Sequence, residues 1–194
     1  MNPTRAYSMT NRSARAETTR LRIIEAAMAL FLEHAYGDVT LTQIAETAGV
    51  SHQTVLNHFE SKAGVVAGVA DHMSQQTMAA RAAAPGDVVG AVHALVGEYE
   101  RIGDANARWA IEPLDELAAL MEQARAGHQR WLVEVFGDAL PEGRTARRRA
   151  INALHAATDV YTWKLLRRDL RLSRGEAEKT MIALVEGILP GGTP

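Results

Sequence analysis

Apolar residues recur at helical spacing through most of the chain. Leu21, Ile24, Ala27, Met28 and Phe31 fall on one stripe of 3.6-residue period and predict a first helix, with Gly37 as its C-terminal cap. Thr40-Leu41-Thr42-Gln43 has the spacing of a capping box, Thr40 capping the N-terminus and Gln43 reaching back, so a second helix is expected from Leu41 to Ala48-Gly49. Ser51 then suits the N-cap of a third helix whose buried side carries Val55 and Phe59. Helix, tight turn and helix therefore follow one another within about twenty residues. Longer helices are expected over 62–82, 86–102, 113–139, 144–170 and 174–189, with a short piece around 104–111. Pro113 suits a first helical position, Gly143 follows the break at Pro141, and Ser173-Arg174-Gly175-Glu176 is a second capping box. No alternation of apolar and polar residues persists long enough for a strand, so the fold class is all-α. Residues 1–16 are polar and aperiodic and read as a flexible arm, followed by a three-helix domain over 17–62 and a larger helical domain over 63–194.

Composition narrows the chemistry. The 194 residues are 47% hydrophobic and 23% charged, ordinary for a folded protein of one domain or two small ones. No stretch approaches the roughly 18 to 20 apolar residues of a membrane helix, and the N-terminus lacks the apolar core of a signal peptide, so the expected location is cytoplasmic, with no membrane partner. The absence of cysteine excludes disulfides, thiolate nucleophiles and cysteine-ligated zinc. His52 and His58, six residues apart, point about 240° apart around a helix and cannot share a metal, and neither metal nor cofactor is expected. The net charge of −2 lacks the strongly basic signature of many nucleic-acid binders. Residues 1–62 hold six Lys and Arg against six Asp and Glu, but the first 22 carry Arg5, Arg12, Arg15, Arg20 and Arg22 against Glu17 alone. Any DNA affinity should lean on that segment, through phosphate or the minor groove, with a shallow salt dependence. Its bland alternative is a solvated tail.

The second helix of a helix-turn-helix enters the major groove and the first steadies the backbone. Ser51, His52, Gln53, Thr54, Asn57 and His58 are small or hydrogen-bonding groups suited to that face; Gln and Asn can pair bidentately with adenine and Thr can offer its methyl to thymine. Thr42, Lys62 and the helix N-termini are placed to hold phosphates, which fix register rather than sequence, and Gln43 is expected among the DNA-binding residues. His58, beside Phe59, can equally pack the helix end. The stretch Thr-Leu-Thr-Gln-Ile-Ala-Glu-Thr-Ala-Gly-Val-Ser-His-Gln-Thr-Val-Leu-Asn-His-Phe-Glu-Ser-Lys, residues 40–62, resembles the DNA-binding signature of TetR-family transcriptional regulators, as do Ala26-Ala27 and Leu30-Phe31 upstream. The resemblance implies a homodimer that binds a palindromic double-stranded DNA operator and a helical domain whose small-molecule effector releases the DNA, with repression as the family default. Leu56 stands where the family usually has a phosphate-touching tyrosine, and Gln53 where glycine is common.

All three tryptophans lie in the second domain. Trp109, Met121, His128, Trp131, His155 and Tyr161 are the aromatic, soft or polar-tipped residues expected nearest an effector pocket. Leu154, Ala157, Tyr161, Leu165, Met181, Leu184, Val185 and Ile188 would form a four-helix dimer interface from helices 144–170 and 174–189, or else ordinary core. Arg144, Arg147, Arg148 and Arg149 cluster at a helix start, an anion site or a solvated face. The helix from Lys62 joins the two domains and is the expected lever of the response. The rival reading is a helical small-molecule-binding protein or enzyme with a vestigial DNA-binding head; the chain lacks a Gly-x-Ser-x-Gly elbow, a phosphate loop and a His-Glu-x-x-His motif, and the His155 and Asp159 pair is also ordinary helix spacing. No catalytic residue is expected.

Overall fold

The capping spacings are realised where the sequence places them. In the computed structural model, which describes residues 3–111 and 115–189 and the side chains of 13–111, 118 and 121–189, Thr40 accepts from the Gln43 N–H at 3.2 Å while Gln43 Oε1 receives the Thr40 N–H at 2.7 Å. The helices are α1 (Pro3–Glu33), α2 (Leu41–Ala48), α3 (His52–Phe59), α4 (Lys62–Ala80), α5 (Val88–Trp109), α6 (Asp115–Phe136), α7 (Arg144–Thr158), α8 (Val160–Lys164) and α9 (Arg174–Ile188). Among the described residues there is no strand. The chain divides into two compact units, Met1–Met73 and Ser74–Pro194, the division falling inside α4 rather than at Lys62.

In the first unit α1 packs on α2 and α2 on α3 around Ile23, Ile24, Ala27, Phe31, Ile44, Ala45, Val55 and Phe59, all buried. Leu21, expected on the buried stripe, is 39% exposed, and Ile23 takes the inward position. Gly37 does not cap α1. It sits within a 3-10 turn, Tyr36–Asp38, whose Tyr36 ring stacks on Phe31 at 5.8 Å. The left-handed cap is Gly49 at φ 63°, which lets the N–H bond back to Ala45 and Glu46 and turns the chain tightly into Ser51. Residues 3–16, expected as a flexible arm, are the start of α1.

In the second unit α5 packs on α8 and α9, and α7 on α6 and α9, around fully buried Trp163, Phe136, Leu95, Leu132, Leu154 and Met181. The piece expected around 104–111 is the end of α5 as far as Trp109. Pro113 lies outside the described residues. The expected helix 144–170 is broken: Asp159 takes an extended backbone (φ −72°, ψ 153°), ends α7 and caps α8, its carboxylate accepting the Tyr161 N–H at 2.8 Å. After Lys164 the chain widens into a π-helical turn, Leu165–Asp169. Arg167 grips Glu100 through two nitrogens at 2.6 and 2.9 Å, and Arg168 grips Asp104, so two bidentate ion pairs fasten that turn to α5. The Arg167 guanidinium holds the Glu100 carboxyl below its ordinary value.

Candidate nucleic-acid interface and ligand recess

Helix α3 is a short amphipathic rod. Val55 and Phe59 anchor it in the core, which leaves His52, Gln53 and Asn57 exposed and Thr54 and His58 half-buried. Ser51 is occupied as the N-cap: its hydroxyl accepts from the Thr54 N–H at 3.1 Å and lies 2.8 Å from the Thr54 hydroxyl. Gln53 Nε2 donates to Asn57 Oδ1 at 3.0 Å, so the two amides that suit adenine are already aligned one turn apart. Thr42 is exposed near the start of α2, while the Gln43 side chain is committed to the capping box. The ring of His58 stands tilted against Phe59, centroids 6.3 Å apart.

Several cations expected to face DNA are turned inward. Arg22 donates to the carbonyls of Ala48 and Gly49, clamping the turn between α2 and α3. Arg20 lies over the Phe59 ring at 5.2 Å, and Lys62 donates to the Tyr36 carbonyl with its ammonium 4.0 Å from the Tyr36 ring centroid. Sequence spacing offers no signal for this use, because the carbonyls that recruit the cations are brought near only by the fold.

The second unit contains an open recess of about 450 Å³ lined by Arg125 and Gln129 of α6, Asn152, His155 and Ala156 of α7, then Asp159, Tyr161 and Thr162. Of the expected pocket residues, His155 and Tyr161 line it and Trp109, Met121, His128 and Trp131 do not. Trp109 is buried, Met121 half-buried, and Trp131 donates its Nε1–H to the Arg81 carbonyl at 3.0 Å. Burial works against the Asp159 carboxylate, yet the neighbouring His155 and the hydrogen bond from the Tyr161 N–H hold it below its ordinary value. His155 Nε2 stands 3.6 Å from that carboxylate.

Behind the recess lies a buried polar network that the periodicity of the sequence does not announce. Arg81, just past α4, pairs with Glu98 of α5, which also accepts from the Thr77 hydroxyl at 2.8 Å. Arg81 Nη1 lies 2.8 Å from His128 Nδ1, and His128 Nε2 lies 2.8 Å from the Thr158 hydroxyl. A guanidinium can only donate, so Nδ1 accepts and the imidazole proton sits on Nε2. That proton goes to Thr158 Oγ1, which passes its own to the Leu154 carbonyl at 2.7 Å. Tyr99 closes the set by donating to the Thr158 carbonyl at 3.0 Å, and burial raises its hydroxyl above the ordinary value. The one signal in the sequence is Glu98, a carboxylate among Leu95, Val96, Tyr99 and Ile102.

Burial first, and then the Arg81 charge, push the His128 imidazole down from 6.5 to about 3. The unfolded chain takes up this proton near the ordinary value and the folded chain only near the lowered one, so stability is full above pH 6.5 and falls as acid is added. Urea unfolding followed by tryptophan fluorescence, which reports only the second unit, should lose about 2 kcal/mol between pH 6.5 and 5. His128→Gln should flatten that slope.

Of the expected dimer residues, Leu154, Met181 and Val185 are fully buried and Ala157 is 6% exposed, so within one chain they are core and cannot meet a second copy. A stripe of helical period cannot distinguish these two uses. Tyr161, Leu165 and Leu184 are 44–49% exposed, and Ile188 is half-buried. Among the described residues no helix is long and apolar enough to cross a membrane, and no group of three or more His, Asp or Glu could hold a metal ion.

A capped α2, a glycine turn and an α3 with a polar outer face, ahead of a separate helical unit, define a helix-turn-helix protein of the DNA-binding class. Residues 23–69 match the family model for bacterial regulatory proteins of the tetR family. The helix-turn-helix regulator SrpR of Pseudomonas putida is 46% identical over 57 residues, which cover 29% of this chain and 27% of SrpR. Similarity to that relative thus reaches little more than a quarter of its length. A tetR-family transcriptional regulator from Streptomyces coelicolor shares the fold over 89% of this chain and 80% of its own, with a TM-score of 0.73 at 16% identity. NalD of Pseudomonas aeruginosa, the secondary repressor of the MexAB-OprM multidrug efflux pump, matches 92% of this chain and 99% of its own, with a TM-score of 0.63 at 25% identity. Residues 23–69 are a TetR-family DNA-binding domain, and the chain has the all-helical fold of that family's transcriptional regulators.

Proposed function

We propose that the protein is a cytoplasmic, homodimeric transcriptional repressor that binds a palindromic operator through α3 and is released by a small molecule seated in its second unit. The observation that carries the reading is the outer face of α3, where His52, Gln53 and Asn57 stand exposed on a helix fixed from behind by buried Val55 and Phe59. Thr54 and His58 flank them, Thr42 faces phosphate, and Ser51, Gln43 and Lys62 act by shaping the head. The description of NalD as a repressor supports the sign of the response, and the recess gives an effector room. No catalytic role, metal or cofactor enters this reading. A ligand lowers operator affinity only by binding the DNA-free conformation better, and α4 is the helix common to both units.

The reading is tested by selection from a random double-stranded DNA library at moderate salt. Enrichment of a palindrome is the expected result; a folded, dimeric protein that enriches nothing overturns it. Two half-sites need two heads about 34 to 36 Å apart, so the dimer is essential. Leu165→Glu with Leu184→Glu changes only exposed side chains and should give a folded monomer in sedimentation, with operator binding lost. Deleting residues 3–16 removes Arg5, Arg12 and Arg15; binding to every sequence should weaken and the logarithmic salt slope fall by about one to three.

A further inference from the structure

The recess and the buried network share His155. This residue lines the recess beside Asp159, and its ring stands edge-on to that of His128, centroids 4.8 Å apart and planes at 78°. His128 cannot give way alone, because Arg81 holds one nitrogen and Thr158 the other. Each bond has a fixed direction, from guanidinium to Nδ1, from Nε2–H to the threonine hydroxyl, and from that hydroxyl to the Leu154 carbonyl. A displaced ring therefore leaves a buried donor or acceptor unpaired at one end or carries both ends with it. One end is the close of α4, where Glu98 ties Arg81 to Thr77 one turn earlier. The other end is the last residue of α7, next to the extended Asp159 that both caps α8 and lines the recess.

We infer that the directed chain Arg81–His128–Thr158 couples occupancy of the recess to the C-terminal end of α4, with His155 transmitting the displacement. A close-packed interior does not deform smoothly, so a chain of this kind passes from one satisfied arrangement to another rather than by degrees. The inference rests on the reading of the recess as the effector site, but the coupling lies wholly within residues 77–162 and can be measured without DNA.

The probe is an indole supplied by the protein itself. Ala156 is exposed on the wall of the recess, and Ala156→Trp fills the space without touching the chain of hydrogen bonds. Amide hydrogen exchange over residues 77–84 of the full-length protein is the readout. The indole should change exchange there by about fivefold or more. That change should vanish in Thr158→Val, which keeps the shape and removes the hydroxyl, and persist in Thr158→Ser, which keeps the hydroxyl. His128→Leu removes both ring nitrogens, cuts the chain one link earlier and replaces the valine variant if that one does not fold. An equal response with and without the Thr158 hydroxyl, or no response to the indole in any background, overturns the inference. A static brace would make the valine variant less stable but would leave its response to the indole intact. Coupling observed alongside a failed DNA selection would sink the repressor reading alone, whereas an enriched palindrome with no coupling would sink only the relay.

Discussion

Glu98→Ala should destabilise the second unit by about 3–5 kcal/mol, the usual cost of leaving a buried charge without its partner. Arg81 is 7% exposed and stays protonated at any working pH, so the loss of Glu98 strands a guanidinium. The nearby Tyr99 and Trp131 rings, 5.3 and 5.6 Å away, offer only partial compensation. Thr77 loses its acceptor in the same step. Urea unfolding monitored by tryptophan fluorescence checks the value, and a loss under about 1 kcal/mol would mean that water reaches the site. The double variant Glu98→Leu with Arg81→Met should recover only part of the loss, because an apolar pair of similar volume removes the stranded charge but leaves His128 Nδ1 and the Thr77 hydroxyl without their partners.

Gln53→Ala combined with Asn57→Ala should abolish operator preference, costing about 1–3 kcal/mol for each bidentate base contact removed. The two side chains bond to each other at 3.0 Å, so each is aligned by the other before DNA arrives. Either single change then removes a contact and loosens its neighbour, and the two losses should be non-additive. The measurement is competition between the selected operator and a scrambled duplex at fixed salt, with the helical content and dimer mass of the variant checked first. Operator preference that survives the double change would move the reading residues elsewhere on the head.

The head was legible in the sequence because its signals are local. Thr40 with Gln43 and the Ser51 cap each act over one turn of helix, as Ser173 with Glu176 does in the second unit, and each is found where the spacing puts it. What was not legible depends on distant partners. The break at Asp159 has local signals, the Asp159 cap on the Tyr161 N–H and the weak helix formers Thr158, Val160 and Thr162, but the helix after it is fixed from a distance by Trp163 Nε1 donating to Glu100 of α5. Leu154, Met181 and Val185 have the period of an interface and the burial of a core. In the recess, His155 and Tyr161 could be picked out by residue type, but Asn152, Gln129 and Arg125 are ordinary helix-surface residues until the fold places them together.

Residues 1–62 contain six lysines and arginines, and Arg20, Arg22 and Lys62 are turned toward rings and carbonyls of their own unit. On the repressor reading, such a head grips random duplex weakly, since that affinity comes almost wholly from phosphate neutralisation. Its dwell time at each of the many competing positions of a chromosome is correspondingly short, and little of the cellular pool is held away from the operator. Few copies per cell would then suffice to keep one promoter shut, and a small amount of effector would suffice to open it.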